Sequence, residues 1–531
     1  MAEPDVDALE TDVLIIGGGM AAAWAGIGAA REGASVLIVD KGFMGTSGVT
    51  ATAGPGHWWV PPDPGAREAA IEKRYQAGLG LADRGWMARA IDVTWRTLPT
   101  LTGYYPFQPG ATGDTYYPGV RGPEYMRALR RLATDSGAGV LDHHPALELL
   151  LHPDGSAAGA AGYDRLNRRA WRIRAGAVIL ATGGCAFRSG LIGARANTGD
   201  GLLMAAEAGA KLSGMEFSAA YSLSPAWSST RTLPFTAARF FDAAGAELDI
   251  PPPMTGPAHL RGLARAMQDG PVWADLADAP ARVKQVLRRI QPATVAAFER
   301  RGVDLFADRF EVKLFGEGTV RGTGGLVVAD ETCQTTIPGL FAAGDVATRE
   351  PVAGATSGGG AQNSAWALTS GLAAAAGAAR LARRQGRRAH DSARAIGGAG
   401  LRPTGALKPV DEAGVVALAR ARTLDYDKAL WRRRGDLEVT LDLMDDAWTQ
   451  LANHRRAEGL DQVAARETAA LAATARWCAA AALRRTETRG LHLRADAPAL
   501  DAGQARRLLV GGLDRVWTEE AAPQTGLEAA A

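Results

Sequence analysis

Gly17, Gly19 and Ala22, within residues 11–41 (TDVLIIGGGMAAAWAGIGAAREGASVLIVDK), have a spacing that specifies chemistry. An apolar run at 13–16, the G-x-G-x-x-A turn, a helical stretch and a second apolar run ending at Asp40 form a strand, turn, helix, strand unit. Gly17 permits the tight turn, Gly19 lets the backbone approach a pyrophosphate, and Ala22 lets the helix lie close on the strand. The helix N-terminus, with Met20 and Ala21 in its first turn, would face the phosphates. Asp40 ends the second strand, where a carboxylate can accept from both ribose hydroxyls of an adenosine and would repel a 2′-phosphate. Lys41 follows it directly.

The rest of the chain must hold this unit. At 531 residues it is too long for one core, so two or three domains are expected. A hydrophobic content of 47% and a charged content of 22% are ordinary for globular proteins, and a net charge of +2 with no long basic run argues against a nucleic-acid partner. Cys185, Cys333 and Cys478 are far apart, which gives no metal or iron–sulfur ligand spacing and fits a reducing compartment. With no signal-like N-terminus and no run of about 18 apolar residues, a cytoplasmic protein without a membrane segment is expected.

Residues 42–59 read as a Gly/Ser/Thr-rich loop that folds over something, and 66–102 and 122–137 as helices. The aromatic segment 103–119 could line a cleft. Residues 139–184 read as an antiparallel meander closing on a buried strand at 177–180 and an ATGG turn. The expected organisation is a Rossmann-like α/β domain at 1–215, an inserted domain at 216–324, a return to the first domain at 325–396, and a linker at 397–412. A helical domain at 413–515 and a disordered tail at 516–531 complete it.

Several separated segments carry a resemblance. The fingerprint, the ATGG strand end (Ala181, Thr182, Gly183) with NTGDGLLMAAEAGAKLSGMEF after it, IPGLFAAGD at 337–345, and RRTETRGLHLRADAP at 484–498 resemble the flavoprotein subunits of succinate dehydrogenase and fumarate reductase. L-aspartate oxidase and the adenylylsulfate reductase flavoprotein are similar. The resemblance implies an FAD-binding domain interrupted by a capping domain, followed by a helical domain, with the active site between the first two. It implies that Thr46, Ser47, Thr52, Ala53 and Gly54 meet the pyrophosphate and flavin ring, that the Leu147 backbone meets adenine, and that Thr198 and Asp200 belong to a cofactor loop. Gly344 and Asp345 would reach the ribityl chain, and the helix start at Gln362, Asn363 and Ser364 the flavin carbonyl.

Departures from the family pattern concern the substrate. Gly48 stands near the position of the histidine that bonds covalently to flavin in succinate dehydrogenases, so FAD should be non-covalent. Tyr221 replaces one substrate-binding histidine, Val320 and Arg321 stand where another is expected, and Gly359 takes the place of an active-site arginine. The rebuilt site has three candidate catalytic residues. His57 would act as a general acid or base, Tyr221 would contact substrate, and Arg321 would offer a guanidinium fork to a carboxylate, phosphate or sulfonate. Arg349 and Glu350 are expected to make local ion pairs, and Arg489 and His492 to serve structure. The expected function is an FAD-dependent oxidoreductase acting on a small polar anion other than fumarate or succinate. The alternative is a subunit exchanging electrons with an iron–sulfur or ferredoxin-like partner. A homo-oligomer stays open, and no metal site is indicated.

Overall fold

In the computed structural model, which describes residues 7–110, 113–230, 233–386 and 392–522, the first strand forms where expected and ends at the glycine turn. β1 (Asp7–Ile16) leads into α1 (Met20–Arg31) and β2 (Val36–Val39), with Val13–Ile16 wholly or nearly buried. α2 (Gly122–Asp135) precedes β3 (Gly139–Leu141), β4 (Ala146–Leu151), β5 (Ala157–Asp164) and β6 (Arg169–Leu180). The capping region contributes β7 (Tyr221–Pro225), β8 (Arg239–Phe241), β9 (Val272–Asp275) and β10 (Phe310–Gly316). β11 (Leu340–Ala342), α3 (Ala361–Gln385) and β12 (Arg394–Ala395) follow, and α4 (Arg434–His454) and α5 (Asp461–Arg484) dominate the C-terminal part.

The main sheet runs β12, β4, β5, β6, β1, β2, β3, with β11 added alongside β6. β6, β1, β2, β3 and β11 pair in parallel, while β4, β5 and the start of β6 form an antiparallel meander. The meander is therefore shorter than its expected span, because residues 139–141 extend the parallel edge beside β2. α1 and α3 cover the parallel part with alanine-rich buried faces, whose small side chains allow close approach. Trp24 and Trp366 are fully buried there.

A four-stranded antiparallel sheet, β7, β10, β9, β8, belongs to the capping region. The C-terminal end differs from the sequence reading. Leu508–Gly511 and Trp517–Glu520 are paired strands that join Leu212–Ser213 and Gly325–Leu326 in another sheet. Residues 517–520, expected in a disordered tail, are thus held by backbone pairing and by the Lys211 to Glu519 ion pair at 2.7 Å. Residues 523–531 lie outside the described residues.

The segment 484–498 is a buried charge network. Arg485 pairs with Glu216 at 2.8 Å and with Glu487 at 3.1 Å, and Arg489 pairs with Glu487 at 2.6 Å. Arg432 donates to the Glu216 carbonyl at 2.6 Å and to His492 Nδ1 at 2.9 Å, so His492 is a neutral acceptor. Burial, followed by the charge of Arg432, holds its pKa well below normal. These contacts tie the start of the capping region to the C-terminal helices.

Candidate active site

A cavity of about 680 Å³ opens at the C-terminal ends of β1, β2 and β6. Gly17 forms its inner turn at φ +119, where a Cβ would stand 2.3 Å from the Ala181 carbonyl oxygen. A Cβ on Gly19 would meet nothing within 4 Å, so the backbone there faces open space at the α1 N-terminus. Asp40 is 5% exposed and accepts from Ser47 Oγ; burial, only partly offset by that bond, raises its pKa. Thr182 Oγ1, on the cavity wall, is buried with no hydrogen-bond partner among the described residues.

Of the residues expected at a cofactor, Gly17, Gly19, Met20, Ala21, Asp40, Lys41, Thr46, Ser47, Ala181, Thr182, Gly183, Asp200, Gly344, Asp345, Asn363 and Ser364 line this cavity. Ala22 lies beneath it, fully buried. Thr198 stands behind the wall, where Lys41 Nζ donates to Thr198 Oγ1 at 2.9 Å, Asp200 at 2.6 Å and Glu467 at 2.9 Å. Burial would lower the Lys41 pKa, but the two carboxylates outweigh it and hold it raised. Leu147 and Gln362 line no described cavity; Ala146 lines the wall beside Leu147, whose carbonyl accepts from Arg466 Nε at 2.9 Å. Thr52 turns back to the Val49 carbonyl at 3.2 Å.

A smaller cavity of about 120 Å³ shares Val49, Thr50, Asn363 and Ser364 with the first. Ala53 and Gly54 line it, with Pro55, Gly56, Val320, Arg321, Gly359 and Gly360. Gly360 caps α3, so the first amides of that helix border this space. Arg321 is the only charged side chain among the described residues lining it. Its Nε lies 3.3 Å from Glu317 Oε1 and its Nη1 donates to Ser222 Oγ at 3.1 Å.

Arg349 organises the wall between the cavities. Fully buried, it pairs with Asp345 at 2.8 Å and donates to Asn363 Oδ1 at 3.1 Å and the Val320 carbonyl at 2.7 Å, with further bonds to the Thr319 and Gly322 carbonyls. The local ion pair expected of Arg349 is present, and the same side chain also fixes the backbone on both sides of Arg321. Trp366 donates to the Gly344 carbonyl at 3.1 Å, joining α3 to the end of β11.

Two of the three candidate catalytic residues are elsewhere. His57 lines neither cavity; it is 3% exposed, Nε2 lies 3.1 Å from Tyr125 Oη, and Nδ1 has no hydrogen-bond partner among the described residues. Burial pushes its pKa down to about 4, so it is neutral near pH 7. Tyr221 also lines neither cavity; it donates to the Leu424 carbonyl at 3.0 Å and stacks edge-on with Tyr426. The reason is strand alternation, since successive side chains leave opposite faces and Ser222, its neighbour, reaches Arg321. Ser222, Glu317 and Glu467 went unnoticed in the sequence because strand pairing and helix docking, not spacing, bring them in.

Residues 12–101 and 88–362 match the FAD-binding domain family, and residues 426–517 match the fumarate reductase flavoprotein C-terminal family. The chain belongs to the FAD-binding flavoproteins of the succinate dehydrogenase and fumarate reductase family. It is an FAD-dependent oxidoreductase. Its relatives include L-aspartate oxidase of Mycobacterium leprae (strain TN), 29% identical with 91% of each chain covered. L-aspartate oxidase of Mycobacterium tuberculosis (strain CDC 1551 / Oshkosh) is 28% identical with 95% of each covered. Among solved structures, E. coli quinol fumarate reductase has a TM-score of 0.80 at 20% identity, with 99% of both chains covered. Adenylylsulfate reductase from Archaeoglobus fulgidus has a TM-score of 0.73 at 19% identity, covering 98% of this chain and 96% of the other. These likenesses establish the fold. Among the described residues, no helix is long and apolar enough to cross a membrane.

Proposed function

We propose that the flavoprotein holds FAD non-covalently in the larger cavity and oxidises or reduces a small organic anion, other than fumarate or succinate, in the smaller one. Open space before Gly19, the orphaned Thr182 hydroxyl, and Asp40 at the β2 end support the cofactor assignment. Gly48 offers no nucleophile for a covalent link. When bound, FAD supplies the two-electron carrier. The chain's own groups orient the partners: Asp40 takes the ribose, the α1 N-terminus the pyrophosphate, and Asp345 with the α3 N-terminus the flavin end.

Arg321 carries the substrate reading, because it is the only charged group among the described residues around the smaller cavity. A guanidinium beside helix amides suits a carboxylate or another oxyanion. The relatives named L-aspartate oxidase suggest an amino acid, whose carboxylate Arg321 could also receive. No carboxylate among the described residues lines that cavity to meet an ammonium, which favours an acid lacking one.

A second reading draws on the likeness to adenylylsulfate reductase. In it the chain exchanges electrons with an iron–sulfur partner, since its three cysteines are buried, separate thiols and offer no cluster site. Those free thiols also fit a reducing compartment.

Anaerobic photoreduction followed by mixing with air separates the readings. Rapid reoxidation of a yellow homo-oligomer supports an oxidase. Slow reoxidation, together with copurification of a brown, cysteine-rich protein, supports the partner reading. Absence of any flavin spectrum after FAD addition would contradict both.

A further inference from the structure

We propose that Glu317 is a positioning residue that, with Ser222, aims Arg321 into the smaller cavity; the inference rests on the anion-binding reading above. Antiparallel pairing of β7 and β10 sets Ser222 opposite Phe315. The chain then leaves β10, and Glu317 N–H donates to the Ala220 carbonyl at 2.8 Å. This directs a fully buried carboxylate under Ser222, whose Oγ donates to Glu317 Oε1. One helical turn through Gly318–Val320 brings Arg321 back over the same oxygen, with Nε at 3.3 Å.

Ser222 bridges the other two side chains. Ser222 Oγ gives its proton to Glu317 and accepts from Arg321 Nη1 at 3.1 Å, while Arg321 Nη2 makes no hydrogen bond with the described residues. The backbone beneath is held separately by Arg349, and the Arg321 carbonyl accepts from Gly358 N–H at 2.9 Å. Backbone and side chain are therefore fixed by different groups. A long arginine side chain loses much rotamer freedom when it binds an anion, and ordering it beforehand lowers that cost. A fully buried carboxylate is expensive to keep unless paired, and the Ser222 hydroxyl, the Arg321 guanidinium and the charge of Arg349 all meet this one.

The test uses holoenzyme with FAD bound and titrates acetate and malonate while recording the flavin absorbance. Thermal midpoint and flavin content are measured in parallel. Glu317→Ala should weaken anion binding by roughly 10- to 100-fold at unchanged flavin content, and Glu317→Gln, which keeps an acceptor for Nε, should recover part of it. Ser222→Ala and Gly359→Ala leave the carboxylate in place, and they decide the matter if Glu317→Ala does not fold. Each should weaken the anion without lowering the flavin content. Wild-type anion affinity in the Glu317, Ser222 and Gly359 variants, with affinity lost in Arg321→Ala, would overturn the positioning role and leave the anchor standing. Equal affinity in wild type and Arg321→Ala, or no response in wild type, would overturn the anion reading itself.

Discussion

The Arg321 side chain fills the space beside Gly359: a Cβ at position 359 would stand 2.8 Å from both Cδ and Nε of Arg321. A guanidinium offered from the turn after β10 thus leaves no room for a side chain at position 359, just before α3. Gly359→Ala should push Arg321 off Glu317 and raise the substrate KM roughly tenfold, with little change in thermal midpoint. Steady-state kinetics beside a melting curve checks this.

Gly17 and Gly19 should fail in different ways. Gly17→Ala meets the Ala181 carbonyl at a positive φ and should cost on the order of 3 kcal/mol in urea unfolding of the apoprotein. Gly19→Ala finds open space and should leave apoprotein stability unchanged while weakening FAD binding at least tenfold by fluorescence titration.

His57 sets a pH dependence of stability rather than of catalysis. Its folded pKa of about 4 lies below the ordinary 6.5, so the unfolded chain takes up the proton first as pH falls. The stability it contributes is complete above about pH 6.5 and is lost towards pH 4, roughly 3 kcal/mol across that window. His492 acts in the same direction, while Glu350, pushed up to about 7 by burial, acts in the opposite one, so the comparison must be with a variant. His57→Gln should flatten the wild-type slope and retain turnover, as read by urea unfolding from pH 4 to 7.

Arg485→Met should destabilise by roughly 3 to 5 kcal/mol, because Glu216 is left buried and unpaired. Adding Glu216→Leu should restore much of the loss. A double-mutant cycle in urea measures both.

The parallel unit was legible because its glycines, apolar runs and terminal acid are close in sequence. Gly17, Gly19, Met20, Ala21, Asp40 and Lys41 line one cavity for that reason, and the other expected cofactor residues on its wall came from the family pattern. Arg321, chosen from the family pattern, lines the smaller cavity, but Tyr221 was chosen where its neighbour Ser222 is the residue that meets Arg321, and only the register of β7 against β10 distinguishes them. His57 misled because proximity to a flavin loop in sequence says nothing about which way its ring turns, here towards Tyr125. Glu467 comes from α5, 426 residues beyond Lys41, and no local pattern announces such a contact. The strand at Trp517–Glu520 was missed because it is held by pairing with Leu508–Gly511, which itself docks on Leu212–Ser213, and by the Lys211 ion pair.

The most direct measurement is anaerobic stopped-flow reaction of the bound flavin with a panel of small organic acids, in wild type and Arg321→Ala. Oxidised flavin is used for donors and photoreduced flavin for acceptors. The account predicts that at least one acid changes the flavin redox state rapidly in wild type and at least about 100-fold more slowly in the variant, with flavin content unchanged. Equal rates in the two proteins would contradict it.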